Sequence, residues 1–159
     1  MSALNRALLA LALLAAPCAS HALITCQISG SAMSFGAYNV LSLVPLDSVG
    51  SITVTCTRVA GQASTNVSLG IGPSPNTGAT NVRRMRQQAG TDLLDYNLFS
   101  DPGRSAVWGM GSEAVVQQVT VPASQGTVQR VLQIYGRIPP AQNVSVGTYS
   151  DHLTLTVDP

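Results

Sequence analysis

Apolar and polar residues alternate with period two along most of the chain, the pattern of β-strands that bury one face. In residues 23–29, Ile24, Cys26 and Ile28 share a side opposite Thr25 and Gln27. In residues 51–57, Ile52, Val54 and Cys56 oppose Ser51, Thr53, Thr55 and Thr57. Val67, Leu69 and Ile71 repeat the pattern before Gly72-Pro73-Ser74-Pro75-Asn76 closes it as a turn. Less regular strands are expected at 82–86, 93–99 and 113–121. In residues 127–138, Val128, Leu132 and Ile134 face one way and Val131 and Tyr135 the other. The last strand is read as one continuous run from 149 to 157, with Tyr149, Asp151, Leu153, Leu155 and Val157 on one face. Turn signals such as Asp101-Pro102-Gly103 and Gly109-Met110-Gly111 separate these segments at the spacing of a β-sandwich. Residues 91–95 have faint helical character, outweighed by the β-like run that follows.

The first 22 residues stand apart. Arg6 and the amino terminus supply positive charge, residues 7–16 are apolar without interruption, and Ser20-His21-Ala22 offers small residues at a cleavage point. This is the plan of a secretory signal peptide over 1–22, followed by a single domain over 23–159. The apolar run is too short for a bilayer of about 30 Å. Pro17 before Cys18 does not suit lipoprotein processing. No later stretch reads as a transmembrane segment.

Cleavage after Ala22 leaves 137 of the 159 residues, the size of one domain. Charged residues make up only 9% of the chain, against roughly a quarter in ordinary soluble domains. All the basic residues are Arg, and the mature chain carries as many acids as arginines. Nucleic acid is therefore not expected as a partner, because no basic excess exists to neutralise phosphates. An apolar fraction of 45% excludes a disordered tail.

Cys26 and Cys56 are the two cysteines left after cleavage. An even count in a secreted chain, with both on the apolar sides of their strands, favours one disulfide over a metal or redox pair. The mature chain has a single histidine, His152, so no metal site or cofactor is expected. Ser150-Asp151-His152 is not a triad, because neighbours in a strand point to opposite faces. With no paired-carboxylate motif either, the chain does not read as an enzyme. Gly70-Ile71-Gly72 and Gly109-Met110-Gly111 do not complete a nucleotide loop. Arg83, Arg84 and Arg86 are expected on a solvated or ion-paired strand face. Trp108 is expected as a packing residue, with sugar stacking as a candidate ligand contact.

Taken in order, several segments resemble the spore coat protein U domain family, which includes the archaic, Csu-type chaperone–usher pilins. They are Cys26-Gln27-Ile28-Ser29, Ser34-Phe35-Gly36-Ala37-Tyr38 and Gly50-Ser51-Ile52-Thr53-Val54-Thr55-Cys56-Thr57. Arg84-Met85, Leu94-Asp95-Tyr96-Asn97-Leu98-Phe99, Trp108-Gly109, Gly136-Arg137-Ile138-Pro139 and Gly147-Thr148-Tyr149-Ser150-Asp151 follow. The resemblance implies an all-β, immunoglobulin-like sandwich that lacks its last strand. It implies a secreted structural or adhesive pilus subunit, passing through the periplasm to the cell surface, with a role in surface attachment and biofilm. Its partners would be a periplasmic chaperone, an outer-membrane usher and other pilin subunits. The missing strand would leave a groove for a donor strand, flanked by Ile24, Ile28, Leu153, Leu155 and Val157. Only Leu23, Ile24 and Thr25 would precede Cys26 after cleavage, which is too short a donor at about 3.3 Å per residue. The expectation is a minor or terminal subunit that accepts a strand. The alternative is a self-contained extracellular carbohydrate- or surface-binding module.

Overall fold

The computed structural model describes residues 24–30, 32–59, 63–124 and 126–158; the expected signal peptide lies outside them. Among the described residues there are strands and no helix. In chain order the strands are β1 (Ile24–Gly30), β2 (Leu46–Arg58), β3 (Thr65–Ile71), β4 (Arg83–Gln87) and β5 (Leu93–Phe99). They continue as β6 (Gln117–Val121), β7 (Gly126–Ile138), β8 (Tyr149–Ser150) and β9 (Leu155–Asp158). Six form one sheet in the order β1-β2-β7-β5-β4-β8, and three form a second in the order β6-β3-β9. The strand ladders are antiparallel. The two sheets enclose one apolar core as an immunoglobulin-like sandwich.

The spine of the large sheet is the β2–β7 ladder, which runs from Leu46 opposite Ile138 to Arg58 opposite Gly126. Thus β2 is longer than the alternation in 51–57 suggests. Asp47, Ser48 and Gly50 look unlike a strand locally, yet β7 pairs them with Arg137, Gly136 and Ile134. A partner strand overrides weak local preference in this way. Strand β6 is shorter than expected, beginning at Gln117.

The expected last strand is broken. Tyr149 and Ser150 pair with β4 in the large sheet, whereas Leu155–Asp158 pairs with β3 in the small one. Residues 151–154 cross between the sheets, with one tie from the Gly72 amide to the Thr154 carbonyl at 2.8 Å. The alternation survives the crossing: Leu153, Leu155 and Val157 still pack against the core.

Cys26 and Cys56 are directly opposite in the β1–β2 ladder and form the expected disulfide, with Cα atoms 4.0 Å apart. The bond lies within one sheet and ties the edge strand β1 to β2, its only neighbour among the described residues. Closing a separation of 30 residues contributes roughly 3–4 kcal/mol in the chain-entropy model.

The core bears out packing for Trp108, removing its sugar-contact alternative, and corrects the expectation for Arg83. Trp108 has no exposed surface, and its indole N–H donates to the Leu69 carbonyl at 2.9 Å. It packs, and no ring face remains for a sugar. Arg83 does not lie on a solvated face; it is fully buried. Its guanidinium donates to the carbonyls of Ile71, Gly72 and Trp108 and to Asn97 Oδ1. Period two explains the split among the three arginines. Arg83 and Met85 turn inward, whereas Arg84 turns outward and meets Asp95 at 2.6 Å.

Candidate functional site

The two sheets have four edge strands, β1 and β8 in the large sheet and β6 and β9 in the small one. Strand β1 has β2 on one side and β9 has β3 on one side; among the described residues neither has a second neighbour. Their outer N–H and C=O groups can therefore pair with an added chain.

A cleft of about 470 Å³ opens onto the core. Leu153 and Leu155 form one wall, Met33 and Phe35 contribute across it, and Ile52, Ile71, Met85 and Leu98 lie at its base. Residual exposure marks the same place. Core residues lining the cleft keep 4–9% of their surface (Ile71 4%, Tyr96 6%, Leu98 7%, Ile52 8%, Met85 9%). Away from it, Val54, Val67, Leu69 and Trp108 keep none. The core is thus less completely covered along this cleft than around Val54, Val67, Leu69 and Trp108.

Of the residues expected to flank a groove, Leu153 and Leu155 line the cleft. Ile24, Ile28 and Val157 are half-buried against the core and are not among its lining side chains. Sequence reasoning missed Met33 and Phe35 as site residues, because the stretch after β1 reads as a turn. Their placement depends on Gly136. A Cβ there would fall 2.6 Å from the Phe35 ring and 2.7 Å from the Met33 methyl. The absent side chain lets the segment lie against β7. The Phe35 ring then meets Tyr96 edge-on, with centroids 5.9 Å apart.

One wall of the cleft is polar. Tyr96 donates its hydroxyl to Asp151 Oδ2 at 2.8 Å, and Asn76 Nδ2 reaches Asp151 Oδ1 at 3.3 Å. Burial, together with this bond to the carboxylate, raises the Tyr96 pKa far above the usual phenol value. Burial pulls the Arg83 pKa down, while Tyr96 and Asp151 act in the opposite direction. Tyr96 is thus held neutral as a hydrogen-bond donor, not poised to exchange a proton. His152 is exposed, and its backbone amide donates to Asp151 Oδ1. Among the described residues no group of His, Cys, Asp or Glu could hold a metal ion, and no helix is long and apolar enough to cross a membrane.

A second cleft of about 610 Å³ adjoins the first through the shared side chains Met33, Phe35, Met85 and Tyr149. It leads to the loops around residues 39–45 and 139–148, which are joined by the Ala141 amide donating to the Ser42 carbonyl. There Leu41, Leu43 and Val146 are 84%, 85% and 102% exposed.

Comparison with known proteins gives three findings. The family model described as the Spore Coat Protein U domain matches residues 11–156. The chain is 33% identical over 138 residues to Protein U of Myxococcus xanthus, covering 80% of this chain and 72% of that one. A solved structure described as "Chaperone-tip adhesin complex is vital for synergistic activation of CFA/I fimbriae biogenesis" aligns at 14% identity with a TM-score of 0.40. That alignment covers 84% of this chain and only 42% of the other, and the likeness is too distant to carry an argument.

Proposed function

Because the chain belongs to the spore coat protein U domain family, a structural family and not one of enzymes, we propose that it is a subunit of archaic chaperone–usher pili. It completes its sandwich with a strand from another protein. The observation that carries this reading is an unpaired edge strand, β9, whose Leu155 lines a cleft that reaches partly exposed core residues. A strand laid beside β9 gains backbone hydrogen bonds from the free edge, and its alternate side chains enter the cleft. A periplasmic chaperone supplies that strand first and a neighbouring subunit afterwards, with an outer-membrane usher between the two events. The open cleft argues against a self-contained module, which would have no reason to leave its core uncovered. Where the subunit sits in a fibre depends on its mature N-terminus, which mass spectrometry of the secreted protein reads.

Attachment to surfaces and biofilm formation belong to the same proposal. They rest on the exposed Leu41, Leu43 and Val146, large apolar side chains left in water on two loops that a backbone hydrogen bond joins.

The test is co-production with a periplasmic pilus chaperone. The wild-type subunit should co-purify with it. Leu155→Arg places a charge in the apolar cleft, at a cost of several kcal/mol if left unpaired, and should abolish capture. Leu155→Met, which preserves volume and polarity, should retain it. Equal recovery of the Arg variant would sink this placement of the acceptor site.

A further inference from the structure

The register of β1, β2 and β7 arranges outward-facing side chains in rows across the large sheet. Thr25, Thr57 and Thr127 form one row, and Gln27, Thr55 and Gln129 form the next. Farther along, Thr53 stands beside Val131, Ser51 beside Gln133 and Val49 beside Tyr135. From Thr25 to Tyr135 none of the outward residues is charged. The next row ends the neutral stretch: Arg137 donates to both oxygens of Asp47 at 2.7 and 2.9 Å, and Arg104 lies 3.3 Å from the same carboxylate.

Adjacent strands are about 4.8 Å apart, and same-face residues repeat at about 6.7 Å along a strand. The hydroxyls and amides therefore form a regular grid. Two apolar side chains are set into it, Val49 at 55% and Val131 at 58% exposure. The Arg104 guanidinium lies 5.9 Å from the centre of the Tyr135 ring and fixes its position at the end of the grid. Along β7, Thr127, Gln129, Val131 and Gln133 are exposed, and Ser51, Thr53 and Thr55 on the neighbouring β2 are partly exposed.

We propose that this face binds a neutral polysaccharide. Sugar hydroxyls match the neutral donors and acceptors of the grid, and the C–H faces of the rings match Val49, Val131 and Tyr135. The absence of charge selects the partner. No cation projects from this face before the Arg137 row, where both guanidiniums already share Asp47; the exposed Arg130 belongs by register to the opposite face, opposite Val54, and its guanidinium donates to the Gln129 carbonyl. A neutral ligand desolvates hydroxyls and amides, which costs far less than desolvating ions. The face is independent of the cleft: a strand laid beside β9 joins the small sheet and leaves the outward face of β1, β2 and β7 uncovered. The aromatic role that the sequence offered to Trp108 passes here to Tyr135, which remains half-exposed.

The test is native electrophoresis of the processed protein, alone or with the strand that fills its cleft, through gels containing a soluble β-glucan, a galactomannan or a xylan. Alginate serves as a polyanion control. At least one neutral gel should retard the protein. Val131→Asp should weaken that retardation about tenfold, because the ligand must then desolvate a charge. Val131 is exposed, so the variant should keep its urea midpoint, and Gln118→Asp, which adds the same charge on β6 of the other sheet, should be retarded as wild type. Three results would overturn the proposal: no retardation in any neutral gel, stronger retardation by alginate, or an unchanged Val131→Asp variant. Self-association lost in Val131→Asp would assign the face to a second copy of the chain and would overturn it too.

Discussion

Replacing Arg83 by Met tests how the small sheet is fastened to the large one. The side chain is fully buried on β4, and its guanidinium holds the end of β3 through the Ile71 and Gly72 carbonyls at 3.1 Å each. It also holds Trp108 O at 2.9 Å and Asn97 Oδ1 at 2.7 Å. Met fills a similar volume but donates nothing, so the three carbonyls lose this donor, while Asn97 Oδ1 keeps the Leu98 amide at 2.9 Å. Each buried acceptor left unsatisfied costs about 1–3 kcal/mol. Removing the cation offsets part of the sum, because taking a guanidinium out of water costs several kcal/mol. The expected net loss is about 3–5 kcal/mol, in the range seen when buried charged networks are broken. With a urea slope of about 2 kcal/mol per molar, the midpoint should fall by roughly 2 M. Arg83→Lys keeps the charge but loses the planar fork, and should fall by a smaller amount. The assay is equilibrium urea unfolding followed by Trp108 fluorescence, on the subunit with its cleft filled. A Met variant whose midpoint moves by less than about 0.5 M would refute the claim that Arg83 clamps the sheets.

Other substitutions probe separate features. Cys26→Ser should cost about 2–5 kcal/mol and sharply lower the yield from an oxidising compartment; equal yield and midpoint would show that the bond tying β1 to β2 is dispensable. Gly136→Ala should destabilise by about 1–3 kcal/mol through the clash with Phe35 and Met33, and Phe35→Ala in the same chain should recover part of that loss. Additive losses would mean the two sites do not meet. The Asp47 pKa lies below its ordinary 3.8, chiefly through the hydrogen bond from Arg137. Its contribution to stability is therefore present above pH 3.8 and is lost as the pH falls through the lower folded value. Melting temperature against pH should show an acid limb that flattens in Asp47→Asn; an identical limb would mean the ion pair contributes nothing, as partly exposed pairs often do.

Much of the architecture was legible because period-two alternation reports burial directly. The inward faces of β1, β2, β3 and β9, with the disulfide pair, follow from which residues are apolar. Arg83 was misread because a cation in a pattern of apolar and polar positions counts as polar. Its burial rests on four oxygens from distant parts of the chain. Packing was the expected role of Trp108, and its complete burial leaves no ring face for the alternative sugar contact.

What the sequence determined alone is the secondary structure type, the residues that turn inward, the disulfide partners and the family. These are properties of single strands or of composition, and local spacing encodes them. The tertiary structure alone decided where the core stays open. That depends on the sheet order, on the last strand leaving the large sheet at residues 151–154, and on Gly136 letting Phe35 and Met33 lie beside the cleft. It also decided that the outward residues of β1, β2 and β7 stand in register as one neutral grid. Register is set by pairing between segments up to about 90 residues apart, and no periodicity within one segment carries that information.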